Sequence, residues 1–161
     1  MNEKSFEFKA LRRVEFSETD MAGIVHFANF FRFMETAEHG FYRSLGYSVI
    51  LDHLDPPLGF PRVHAACDYK KPLRFGDQVE VHLLVKEKRS RVLSYFFRFA
   101  KVASERESVP PILVATGILT VVCVAHYSDG RMEAAPIPPE LADKIEVAPA
   151  ELLSLQPESR S

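Results

Sequence analysis

One helical repeat, set in a chain otherwise written in period two, limits what this sequence can build. Phe27, Phe30, Phe31, Met34, Ala37, Phe41 and Leu45 recur at spacings of three and four, the pattern of one apolar helix face. Phe33 and Tyr42 widen that stripe beyond what a surface helix needs. The helix is therefore expected in a concave groove, covered on more than one side. Arg32, Glu35, Thr36, Glu38 and Arg43 take other positions, and Gly46 is placed to end the helix as its C′ residue.

Around this helix the sequence alternates. Phe6, Phe8, Ala10, Val14 and Phe16 fall on even positions, which predicts a half-buried strand over residues 5–16. Residues 47–61 hold Pro56, Pro57, Gly59 and Pro61 and read as a loop. Val63, Ala65, Cys67 and Tyr69 alternate again, Lys70–Asp77 reads as a turn, and Val79, Val81, Leu83 and Val85 form the next strand. A polar connection at 86–91 leads into a strand at 92–102. Ile112 to Ala125 is a long β-branched run, expected as a central strand buried on both faces. Pro138 to Ile145 is expected to form a short helix with proline in its first turn. The order predicts an α+β domain over residues 1–146, a five- to six-stranded antiparallel sheet wrapped around one long central helix. Residues 147–161 have little pattern and read as a loose C-terminal tail. Leu84, Phe97, Phe99 and Leu119 place apolar groups on the second faces of the central strands, so a homo-oligomer is expected to cover some of them.

Composition removes several function classes. Of 161 residues 47% are apolar, enough for a core, and the formal charge is -2; nucleic-acid binders are usually strongly basic. Cys67 and Cys123 stand far apart and outside any CxxC pair, so neither a disulfide framework nor a zinc site is expected. His39, His53, His82 and His126 lack metal-ligand spacing, and no metal or cofactor is expected. The first residues carry no apolar signal core and no run is long enough to span a bilayer. The expectation is a soluble, cytoplasmic protein with no membrane or nucleic-acid partner.

The chemistry concentrates in Glu18-Thr19-Asp20-Met21-Ala22-Gly23-Ile24-Val25-His26-Phe27-Ala28-Asn29-Phe30, at the junction of the first strand and the helix. A helix start offers unpaired backbone N–H groups and the positive end of the dipole. An acid just ahead of it can act on an acyl group whose developing oxyanion those donors hold. This run resembles the signature of hotdog-fold acyl-CoA thioesterases of the 4-hydroxybenzoyl-CoA thioesterase type. Lys71-Pro72-Leu73-Arg74-Phe75-Gly76-Asp77 looks like the turn these proteins have between their second and third strands.

The resemblance implies hydrolysis of a small acyl- or aryl-CoA thioester to free acid and coenzyme A. It implies a homodimer packed sheet edge to sheet edge, often paired into a homotetramer, with the site at the dimer interface. The family's catalytic acid falls on Asp20, as general base or as nucleophile. Its oxyanion donor falls on the Phe27 backbone N–H, and the hairpin that meets the coenzyme A phosphates falls on Lys88, Arg89 and Arg91. Relatives often carry Tyr-His where this chain has His26-Phe27.

Each residue also has a plainer reading. Asp20 and Asn29 are good helix caps; Asn29 would otherwise hydrogen-bond to substrate across the site. His26 either orients substrate or assists a proton transfer, or is a polar residue at a helix edge. Gly23 would serve close backbone approach or a positive φ. His64 and Arg62 would face either the site or solvent. Glu35 and Glu38 would be surface or interface charges, or a helical acid in place of Asp20. Lys88, Arg89 and Arg91 would otherwise be a solvated hairpin. Rival functions are an acyl-carrier-protein thioesterase, a hotdog dehydratase and a non-catalytic acyl-thioester binder.

Overall fold

The computed structural model describes residues 3–103 and 106–154. The strands are β1 (Glu7–Arg13), β2 (Leu58–Gly59), β3 (Arg62–Tyr69), β4 (Gln78–Lys88), β5 (Val92–Val102), β6 (Ile112–Val122), β7 (Val124–His126) and β8 (Met132–Ala134). Five of them form an antiparallel sheet in the order β1-β4-β5-β6-β3, and β2-β7-β8 form a smaller second sheet. The long helix α1 (Asn29–Ser44) lies on one face of the large sheet.

Register decides which side chains meet that helix. Ala10, Val81, Phe99, Ala115 and Tyr69 stand side by side across all five strands, and Phe8, Leu83, Phe97, Gly117 and Cys67 form the next row. Between these rows lie Lys9, His82, Arg98, Thr116 and Asp68, on the opposite face. Phe30, Phe33, Met34, Ala37 and Phe41 of α1 bury themselves on the inner rows. The Phe30 ring meets the edges of Phe99 and Tyr69 at 5.3 and 5.2 Å. Gly117 leaves the space that Met34 fills; a Cβ there would come 2.4 Å from Met34 Cε. The helix ends as expected. Gly46 has φ +88°, its N–H donates to Arg43 C=O, and Tyr47 N–H donates to Tyr42 C=O, a Schellman closure.

Several expectations need correction. Phe97, Phe99 and Leu119 point inward to α1, so only Leu84 of the expected outer apolar set lies on the outer face. The first strand stops at Arg13; Phe16–Glu18 form a 3-10 turn and Phe16 is 74% exposed against Phe75. The run 112–125 breaks at Cys123, and β6 alternates buried and half-buried positions because only its helix side is covered by the core. The loop 47–61 contributes β2 to the small sheet.

The chain beyond 146 also departs from its reading as loose. After α2 (Pro139–Ala142), Glu146 N–H donates to Ser5 C=O and Ala148 N–H to Val85 C=O. Helix α3 (Ala150–Ser154) follows, with the Arg98 guanidinium on the Leu152 carbonyl. This segment therefore crosses the outer face over Leu84. Residues 155–161 of the expected tail lie outside the described residues.

Candidate active site

The loop between β1 and α1 folds into a tight arch closed by backbone pairing of Thr19 with Val25. Asp20 N–H donates to Ile24 C=O, and Gly23 turns the arch at φ +78°, a conformation that favours glycine. The arch is fastened on both sides. Val25 N–H donates to Leu73 C=O, and the Asn29 amide Nδ2 donates to Glu18 C=O at 2.8 Å. Glu18 is itself held by Arg12 at 2.6 Å. Asn29 thus ties the helix to the arch and does not cap it; the residue preceding the helix, Ala28, offers no side-chain cap.

Asp20 is likewise not the cap of α1. Its Oδ1 accepts from Ala22 N–H at 2.8 Å, which orients the carboxylate, and no partner of Oδ2 is seen among the described residues. It lines a cleft of about 470 Å³ whose walls are Ile24, Val25, Phe27, Phe30, Tyr69, Lys71 and Leu73. Phe27 precedes the helix, is 62% exposed, and belongs to the same cleft. Its N–H meets no acceptor among the described residues, whereas its C=O accepts from Phe30 N–H and from the Tyr69 hydroxyl at 2.9 Å. His26 stacks on the Phe27 ring, and its Nδ1 accepts from Ala28 N–H at 3.2 Å. The neutral ring that makes this bond carries its proton on Nε2.

One chain does not gather the remaining candidates here. Tyr69 lies on the helix face of β3, so His64, in register with Thr120 and Ser94, points from the outer face. The hairpin residues stand at the far end of the sheet. β4 begins beside the arch at Gln78 and ends at Lys88, roughly 33 Å away at strand rise. Lys88 Nζ is occupied there by the carbonyls of Ala142 and Ile145, at 2.6 and 2.8 Å, and Arg89 pairs with Glu87. The basic groups that do border the cleft are Lys70 and Lys71, and Arg74 reaches over Gly23.

Glu38 is not a surface charge. It is fully buried on α1 and pairs with Arg62 at 2.6 Å, while its Oε2 has no partner among the described residues. Burial pushes its carboxyl up to about 7 despite Arg62. A register shift between Arg62 and His64 turns Arg62 toward the helix. Glu35 stays at the surface beside His39. Among the described residues no cluster of His, Cys, Asp or Glu is suited to a metal, and no helix is long and apolar enough to cross a membrane.

Residues 14–145 match the thioesterase-like superfamily. The chain belongs to this family. A protein of Aquifex aeolicus that carries only a provisional esterase name is 46% identical over 76 residues, covering 47% of this chain and 59% of that relative. The chain thus spans under two thirds of this relative's length. A 1,4-dihydroxy-2-naphthoyl-CoA hydrolase of Gloeothece citriformis is 27% identical over 120 residues, covering 74% of this chain and 80% of that protein. A gentisyl-coenzyme A thioesterase of known structure is 28% identical with a TM-score of 0.68, covering 83% of this chain and 98% of that one. The hotdog reading of the fold and the family named from the Glu18–Phe30 run therefore hold.

Two features of the site escaped the sequence. Tyr69 counted only as one apolar step of a strand, because nothing local marks the hydroxyl that crosses to Phe27. The Glu38–Arg62 pair joins residues 24 positions apart; the signal for it was a carboxylate falling beside the apolar stripe of the helix.

Proposed function

We propose that this thioesterase-family protein hydrolyses an aryl-CoA thioester, with Asp20 at the reacting centre. The observation that carries this reading is that one aromatic cleft is lined both by an oriented carboxylate, Asp20, and by Phe27, with no partner for Asp20 Oδ2 or the Phe27 N–H among the described residues. The thioester carbonyl oxygen would accept from Phe27 N–H, and the charge that develops there is what such a donor stabilises. As general base, Asp20 takes a proton from water as the water oxygen attacks the carbonyl carbon. Collapse of the tetrahedral intermediate breaks the C–S bond and releases coenzyme A thiolate. As nucleophile, Asp20 attacks the carbon directly and expels the thiolate, and water then opens the mixed anhydride. Single turnover in ¹⁸O water tests the covalent route, because label on Asp20 requires an anhydride opened at the Asp20 carboxyl carbon; trapping of the acyl-enzyme by hydroxylamine covers opening at the acyl carbon.

An aryl acyl group suits walls made by Phe27, Phe30 and Tyr69, and two of the relatives above bear hydroxyaryl-CoA names. Lys70, Lys71 and Arg74 are the cations of this chain near enough to meet phosphates; Arg89, Arg91 and His64 would contribute only from a second copy. Such a copy would pair along β3, an edge strand of the large sheet with Val63 61% exposed, to give a homodimer or homotetramer. Both cysteines are free thiols, which fits a cytoplasmic setting.

The test is thiol release from short, long and aromatic acyl-CoAs by wild type and Asp20→Asn. Wild type should turn over hydroxyaryl-CoAs best, and the variant should lose about 100-fold or more. Equal turnover by both removes Asp20 from the mechanism. No release from any acyl-CoA, with release from an acyl-carrier-protein thioester, moves the substrate to that class.

A further inference from the structure

We propose that Tyr69 is a positioning residue that aims the oxyanion-binding N–H of Phe27, an inference that rests on the thioesterase reading above. The two peptide units flanking the Phe27 Cα are both clamped. In the first, the His26 carbonyl accepts from Asn29 N–H at 2.9 Å, which leaves the Phe27 N–H as that unit's free group. In the second, the Phe27 carbonyl accepts from the Tyr69 hydroxyl at 2.9 Å and the Ala28 N–H donates to His26 Nδ1 at 3.2 Å. The backbone bond from Phe30 N–H to the Phe27 carbonyl is the longer, at 3.3 Å, so the phenol is the closer hold on that unit.

This phenol is suited to the task. Desolvation and the neighbouring Cys67 push it up to about 12, so it keeps its proton and donates throughout the physiological range. Its ring is braced edge-on against Phe30 at 5.2 Å, and its strand is fixed in register with Ala115 of β6. An oxyanion donor works because it is aimed before charge appears. At Phe27, which stands ahead of the regular helix, a side chain of a distant strand adds to the backbone bonds of the helix start in setting that aim.

Tyr69→Phe keeps the ring and removes the hydroxyl, and Tyr69→Leu removes both. Tyr69→Phe should fold with an unchanged circular dichroism spectrum. Its kcat should fall about tenfold with KM within twofold, because the lost interaction acts in the transition state. Tyr69→Leu should fall further and also raise KM, since it takes away a cleft wall. An unchanged kcat in Tyr69→Phe, or a change in KM alone, overturns the proposal. If the wild type hydrolyses no thioester, the functional reading fails separately. The clamp is then tested by amide NMR: Tyr69→Phe should shift the Phe27 and Ala28 resonances and speed Ala28 amide exchange. Unchanged resonances and exchange there overturn it.

Discussion

Glu38 is a carboxyl out of reach of water. Its carboxyl is wholly buried, one oxygen has no partner among the described residues, and the Tyr42 and Tyr95 hydroxyls, 3.0 Å apart, are occupied with each other nearby. Its folded value near 7 lies above the ordinary 4.5, so the native state holds this proton more tightly than the unfolded chain. Stability from this group is therefore full below the unfolded value and declines as pH rises toward 7, by on the order of 3 kcal/mol across the window. Thermal melts from about pH 5 to pH 8 should show a falling Tm in wild type and a flatter profile in Glu38→Gln; parallel profiles would remove Glu38 as the cause. The sequence placed this residue on the right element and on the wrong side of the solvent boundary. A carboxylate at the margin of an apolar stripe is buried only when a cation arrives from elsewhere, and Arg62 arrives through a β3 irregularity that alternation cannot announce.

At the scale of elements, α1 and the sheet fit through absences as much as through bulk. Gly117 sits in the same row as Phe97 and Cys67, and the missing side chain is where Met34 rests. Gly117→Ala would put a Cβ 2.4 Å from Met34 Cε and 3.3 Å from the Ala66 carbonyl. Met34 is fully buried and has little room to withdraw. The expected cost is about 1–3 kcal/mol, read as a lower urea midpoint at unchanged m-value, and the same substitution should cost less in a Met34→Ala background, where the added methyl has room. An unaffected midpoint would mean that the helix shifts freely over the sheet. The helix, its glycine stop and the five strands of the large sheet were legible because period and punctuation are local properties. The breaks were not. Phe16 continues the alternation of β1 on paper, yet pairing with the neighbouring strand ends at Val14, whose N–H donates to Asp77 C=O, and Phe16–Glu18 then turn away as a 3-10 helix. The arch was legible as a junction holding an acid and a free donor. The hydroxyl that Tyr69 extends across 42 residues was not, because contact order of that length leaves no local mark.

For the whole molecule, the two faces of the sheet are treated differently. The inner face is closed by α1, and part of the outer face is closed by the segment that runs from Glu146 through α3. Removing residues 147–161 should uncover Leu84 and lower Tm, with dye binding to the new apolar surface as the check; an unchanged melt would make that segment incidental. What neither closure reaches is the free side of β3, whose backbone groups await a strand. Light scattering should report a dimer, and Val63→Pro, set on that edge, should shift it to monomer. The strand left open is the one that holds Tyr69. If a second copy pairs there as proposed, catalytic aim and self-association would share one piece of backbone, and the rate law would acquire protein concentration as a variable. Diluting the enzyme through its dimer dissociation constant should lower activity per protomer, while an activity that stays constant through the same dilution would mean that a lone chain is already complete.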